Sequence, residues 1–296
     1  MTTTIATDRK ANLAGSLWMI LSMGAFAIED VFVKAAASAL PIGQILFLFG
    51  VGGMIVFAAV ALWNRQPLFV PDVVSRPMLV RAGFEITGRL FYVLAVALIP
   101  LSAATVILQA TPLVVVAGAV LVFREKVGWR RWLAILIGLA GVVVIVQPGT
   151  EGFSPLSLLA VIGMIGFAGR DLASRIAPAT IGTVLLGFYG FLSVVVAGVI
   201  YTLVQGEAFV VPGPWLSALL LGAVFAGVAA YAFLMKAMRT GEVSAVTPFR
   251  YSRLLFGIAL GVFVFGEQLS FEMLVGSGLI VVSGLFILWR SQRRHT

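Results

Sequence analysis

The sequence predicts an all-α, polytopic membrane protein: ten transmembrane helices built as two inverted five-helix repeats. Three observations predict it. First, 61% of the residues are hydrophobic and only 11% are charged, whereas soluble domains carry about a quarter charged residues. Second, apolar stretches long enough to cross a bilayer, about 20 residues each, follow one another with short breaks, and ten of them fit the 296 residues. Third, the chain echoes itself. Ser102, Thr105 and Glu125 return 142 residues later as Ser244, Thr247 and Glu267, and Met23, Phe26, Asp30 and Lys34 return 141 later as Met164, Phe167, Asp171 and Arg175.

The first unit, residues 1–148, holds spans at 12–36, 42–63, 78–98, 101–123 and 129–146. Arg9 and Lys10 precede a first span too long and too well flanked for a cleaved signal. The second span runs from Ile42 to Trp63, and the third carries Arg81, Glu85, Arg89 and Tyr92 at spacings compatible with one face. In the fourth, Pro112 predicts a kink that frees a carbonyl, with Thr105 and Gln109 as polar lining. Glu125 precedes the fifth, where a negative charge meets the positive end of a helix dipole.

The second unit, residues 149–296, holds spans at 154–176, 181–203, 215–237, 243–264 and 271–290. Gly163, Gly166 and Gly169 notch the sixth, and Gly257 and Gly261 the ninth, for close helix approach. Length and apolar content place the seventh and eighth, the latter with Tyr231. Tyr251 lies on the ninth, and Glu267 precedes the tenth as Glu125 precedes the fifth.

Charge sets the expected orientation. With the N-terminus in the cytoplasm, fifteen basic residues fall on the inner ends and loops, and only Lys34 lies near the opposite side, where Glu151, Glu207 and Glu267 collect. Ten spans return the C-terminus to the cytoplasm, and a five-helix repeat must insert its second copy upside down. The net charge of +8 is thus read as membrane orientation, not as nucleic-acid binding. There is no cysteine, and the single histidine, His295, lies in the polar tail. Disulfides, thiolate chemistry and a buried histidine relay are excluded, and no cofactor is expected.

Eight ionisable side chains remain well inside spans: Glu29, Asp30, Glu85, Arg89, Arg170, Asp171, Arg250 and Arg253. Each costs about 2.5–3.5 kcal/mol at a helix centre, so they face one another or water. Glu85 and Arg89 have the order and spacing of an intrahelical pair. Arg170 and Asp171, adjacent in sequence, point about 100° apart, so each is expected to look to another helix. Arg250 and Arg253 share a face, repel, and need carboxylates from Glu29, Asp30 or Asp171. These eight, with Tyr92, Tyr231 and Tyr251, are the candidate substrate-binding residues. A closed network that only fixes helix positions is the alternative. Four acids and four bases sum to zero, which suits a zwitterion such as an amino acid.

The chain resembles the drug/metabolite transporter superfamily, specifically its ten-helix EamA-type exporters. In the first half the resemblance rests on Tyr92, Ala95 and Ala97, Ser102–Ala103–Ala104, Pro112, Glu125, Gly138 and Gly141. In the second it rests on Phe233 and Ala237, Gly241, Ser244 and Ala245, Gly266–Glu267, Gly276 and Gly284. It covers nearly the whole chain. Leu254 stands where the first copy has Pro112, with the proline displaced to Pro248, and the second span lacks the arginine of many relatives.

The resemblance implies a secondary transporter of the bacterial inner membrane that exports amino acids, including the aromatic type, or related small metabolites. Alternating access would run through a cavity between the repeats. The expected partners are the bilayer and a small-molecule substrate, with the chain a monomer or weak homo-oligomer. No phosphate-cradling GxxxxGK[ST] loop exists. Proton coupling would require Glu29, Asp30, Glu85 or Asp171 to change protonation, and a passive facilitator fits equally. A lipid flippase or drug-type exporter of the same fold is the alternative, while an intramembrane enzyme lacks the usual nucleophiles and bases.

Overall fold

The computed structural model describes residues 9–292 except 125–127, 150–153, 175, 179 and 241–245. The described residues form eleven α-helices and no strand. The first unit comprises α1 (Arg9–Ala37), α2 (Ile42–Trp63), α3 (Arg76–Leu98), α4 (Leu101–Leu108), α5 (Thr111–Phe123) and α6 (Trp129–Val146). The second comprises α7 (Ser157–Ser174), α8 (Thr183–Gln205), α9 (Pro214–Thr240), α10 (Ser252–Phe265) and α11 (Phe271–Gln292).

Eleven helices make ten spans because α4 and α5 are one span broken at Gln109–Ala110, with Pro112 in the first turn of α5. A proline there lacks the N–H that the turn could not have bonded anyway. In the ninth span a 3₁₀ turn over Thr247–Tyr251, with Pro248 in it, leads directly into α10. Of the remaining spans, α3 is the least apolar, because Arg81, Glu85 and Arg89 lie within it. Its membrane crossing depends on partners.

The packing follows the inversion. The main helix pairs are α1 with α9, α2 with α8, α3 with α7, α4 with α10 and α6 with α11. Exchange of the two units carries the first pair into the third and leaves the other three unchanged. Every one of these pairs crosses between units, so the ten spans form one interleaved bundle. Outward faces are apolar where lipid would lie: Trp63, Leu121, Leu203 and Phe263 are all strongly exposed.

Small residues set the closest crossings. A Cβ on Gly166 of α7 would sit within van der Waals contact of the Gly88 backbone on α3. Gly163 and Gly169 likewise abut Tyr92 and Phe84, so the notches on the sixth span serve packing. Gly166→Ala is expected to force these helices apart at a cost of about 1–3 kcal/mol. The measurement is the thermal midpoint of the detergent-solubilised protein, and an unchanged midpoint would show that the crossing is looser than described.

Candidate functional site

Charges from α1, α3, α7 and α10 meet at the centre of the bundle. On α1, Glu29 Oε1 accepts from Arg89 Nη1 at 2.7 Å. The neighbouring Asp30 accepts through Oδ2 from Arg253 Nη2 at 2.7 Å and from the Tyr92 hydroxyl at 3.0 Å. Aromatic rings floor both arginines. The Arg89 guanidinium lies 5.4 Å from the Phe49 ring centre and 5.9 Å from that of Phe167, and Arg253 lies 5.0 Å from that of Phe26. Such faces favour a cation that has lost its water.

The second cluster joins α3 to α7. Glu85 Oε2 accepts from Arg81 Nη2 and Oε1 from Arg170 Nη1, each at 3.2 Å. Arg170 also donates through Nε and Nη2 to Asp171 Oδ1 at 3.0 and 2.9 Å. Arg81 Nε donates to Ser174 Oγ at 3.1 Å, and that hydroxyl donates to the Arg170 carbonyl.

Three expectations are thereby corrected, the second only in part. Glu85 pairs with Arg81 and Arg170, not with Arg89, because Arg89 is drawn across to Glu29. Arg170 does look to another helix, to Glu85 of α3, but it also bonds to its own neighbour Asp171: a long guanidinium bridges 100° of helix when the carboxylate is short. Arg81, which charge counting assigned to the inner membrane surface, is buried in the network.

Arg250 is the exception. It lies in the 3₁₀ turn, half-buried, with Asp171 its nearest attractive charge and Arg170 and Arg253 repelling it. Among the described residues its side chain makes no hydrogen bond or ion pair, although its carbonyl accepts from Gln109 Nε2 at 3.0 Å. With Arg81 included, five guanidiniums face four carboxylates, so the expected neutral interior carries one surplus positive charge. Exposure is graded: the Glu29 side chain is 2% exposed, those of Arg170 and Asp171 27% and 30%. The cluster is most exposed at the end where Arg170, Asp171 and Arg250 lie.

The opposite end is closed. Glu267 Oε2 accepts from the Ser102 N–H at 2.9 Å and the Ser102 hydroxyl at 2.7 Å, while Oε1 accepts from the Leu101 N–H at 2.5 Å. Lys34 lies 3.8 Å from Oε1 and donates to the Val96 and Ile99 carbonyls. Glu267 thus caps α4 of the other unit, not the tenth span it precedes. Gly266 turns the chain with φ +65°, and Gly261 leaves room for the carboxylate. The first-unit counterpart, Glu125, and the echoes of Lys34 and Ser102, Arg175 and Ser244, lie outside the described residues.

A broken span packed against one that opens in a 3₁₀ turn, and a charged centre between inverted units, form the arrangement of a secondary carrier. Residues 13–147 and 155–289 each match the sequence profile described as the EamA-like transporter family. The chain belongs to that family.

This EamA-like protein is therefore a multi-pass membrane transporter of the drug/metabolite transporter superfamily. It is 25% identical to the S-adenosylmethionine uptake transporter of Rickettsia prowazekii, over 96% of this chain and 95% of that one. It is 27% identical to the riboflavin transporter of Rhizobium johnstonii, over 99% and 97%. It is 26% identical to the pseudopaline exporter CntI of Pseudomonas aeruginosa, over 95% and 97%. A solved crystal structure shares the fold with a TM-score of 0.61 at 21% identity, covering 97% of this chain and 99% of that chain.

In the EamA-like bundle the aromatic candidates separate. Tyr92 is buried inside the charged cluster. Tyr231 of α9 is half-buried; its hydroxyl donates to the Thr183 carbonyl at 3.3 Å, and its ring stands edge-on to Phe57 at 5.2 Å. Tyr251 points instead into α11, where its hydroxyl fills the space left by Gly284. Sequence reasoning missed Arg81, Ser174 and Phe49 as members of the cluster. A signal existed for Arg81, which precedes Glu85 by four residues, as Arg89 follows it by four.

Proposed function

We propose that this transporter exports amino acids or closely related zwitterionic metabolites across the bacterial inner membrane, with both termini in the cytoplasm. The observation that carries the reading is Arg250, a half-buried guanidinium without a partner among the described residues, at the more exposed edge of a cluster one positive charge in surplus. A partly desolvated free guanidinium favours a planar, bidentate anion such as a carboxylate. Asp171 and the half-buried Tyr231 offer an acceptor and an apolar wall for the ammonium and side chain. The relative named for S-adenosylmethionine takes a substrate with the same zwitterion in its methionine part.

The two units, residues 1–148 and 149–296, exchange conformations. In the present state the charged chamber opens toward Arg170 and is sealed at Glu267. The positive-inside distribution supports a cytoplasmic position for the open end. Export is supported by the likeness to the pseudopaline exporter, while the S-adenosylmethionine relative is named for uptake.

The test uses proteoliposomes with a panel of labelled amino acids and S-adenosylmethionine. Exchange should appear for at least one substrate, and Arg250→Gln should lower its apparent affinity roughly tenfold or more, the loss of one charged hydrogen-bonding partner. Full activity of Arg250→Gln would remove this residue from the site. Movement of labelled lipid without any of these solutes would transfer the fold to lipid translocation.

A further inference from the structure

Five carboxylates lie in or beside the centre of the bundle, and four of them hold two donors or more, or are exposed. Asp30 holds two donors on one oxygen and lies beside Arg253. Both oxygens of Glu85 and both of Glu267 are bonded. Asp171 pairs with Arg170 and is 30% exposed. Glu29 alone has an oxygen, Oε2, that is buried without a donor among the described residues. It faces the backbone of Gly227 on α9, where an added Cβ would stand 3.2 Å from Oε2 and 2.9 Å from the Phe49 ring of α2.

An ionised carboxylate with one dry, unbonded oxygen is disfavoured by more than an ordinary missing hydrogen bond. The neighbours do not fully compensate. Arg89 on α3 binds the other oxygen, and Asp30 is a like charge on the same helix. Arg253 on α10 and Tyr92 on α3 are held by Asp30. From α2 and α9 the facing groups are Phe49 and Gly227, neither charged. A metal cation would need several oxygen ligands, and two arginines stand where they would have to be. A proton needs only the one lone pair.

The geometry points to Glu29 as a proton-binding site that couples transport to the proton gradient. This rests on the carrier reading above but not on the identity of the substrate. A proton from water adds to Oε2, Glu29 becomes neutral, and its ion pair with Arg89 reduces to a hydrogen bond. The charge of the cluster thus depends on whether Glu29 carries the proton. With its side chain 2% exposed, Glu29 exchanges protons only when the helices around it part, as a coupled cycle requires. Glu29 lies behind Arg89 and touches no substrate in this scheme.

Two measurements test it. The first is the infrared difference spectrum of the full chain in detergent, titrated between about pH 9 and pH 5, the range in which buried carboxyls have been found to protonate. A carboxylic-acid carbonyl band should grow as pH falls in wild type and in Asp171→Asn, and be missing from Glu29→Gln. No band in wild type, or a band that survives in Glu29→Gln, overturns the assignment. The second uses proteoliposomes and the labelled substrates above. In Glu29→Gln the response of transport to a pH gradient should be lost, whatever the rate of exchange at equal pH. Wild-type exchange indifferent to the gradient overturns coupling, whereas no exchange in wild type overturns the substrate reading and leaves the infrared result to decide on Glu29. Monodisperse elution of Glu29→Gln shows that it folds.

Discussion

Glu85→Ala should yield little stably folded protein. The carboxylate sits 4% exposed between two guanidiniums and bonds both. Its removal leaves Arg81 with Ser174 Oγ alone and Arg170 with Asp171 alone. Breaking one partner out of a buried ion pair costs about 3–5 kcal/mol, because the remaining charge stays desolvated. The loss should be read as a fall in monodisperse yield and thermal midpoint.

A double replacement, Arg81→Met with Glu85→Leu, removes the charge and its partner together and should recover much of the loss. Coupling in double-mutant cycles should be strong between Arg81 and Glu85 and weak between Arg89 and Glu85. Wild-type stability in Glu85→Ala, or stronger coupling to Arg89, would contradict the pairing described above.

The second large effect is expected at the closed end. Glu267→Ala strips the first turn of α4 of three donors' partners at once: the Leu101 and Ser102 N–H groups and the Ser102 hydroxyl. Helix N-termini carry orphan donors and a partial positive charge, so this carboxylate answers both. Hydrogen bonds to a charged group contribute about 1.5–3 kcal/mol, and a loss near 3 kcal/mol is expected. Glu267→Gln keeps one accepting oxygen and should lose about half as much. Lys34 retains the Val96 and Ile99 carbonyls in both variants. Amide exchange should quicken at Leu101 and Ser102; unchanged exchange there would show that the cap contributes nothing.

Glu267 also shows where sequence reasoning stopped. The doubled Glu125 and Glu267 were visible as a repeat, and a helix N-terminus was the right kind of partner. The sequence places Glu267 just before the tenth span, so local reasoning assigns it there. The cap on α4 arises because Gly266 reverses the chain and α10 packs against α4 across the unit boundary. Glu85 tells the same story at shorter range. Arginines lie four residues away on either side, at 81 and 89, and periodicity ranks them nearly equally. Arg89 was claimed by Glu29, sixty residues distant in sequence.

The sequence by itself determined the ten spans, the doubling, the inversion that an odd repeat imposes, and, Arg81 excepted, which charges had to find partners inside the membrane. Those properties depend on composition and period, and both are local. Only the tertiary structure decided who pairs with whom, that Arg250 is left over, and that Glu29 keeps an unbonded oxygen. A side chain's partner depends on the rotation and depth of a neighbouring helix. Those follow from close contacts such as Gly88 on Gly166, which involve residues far apart along the chain.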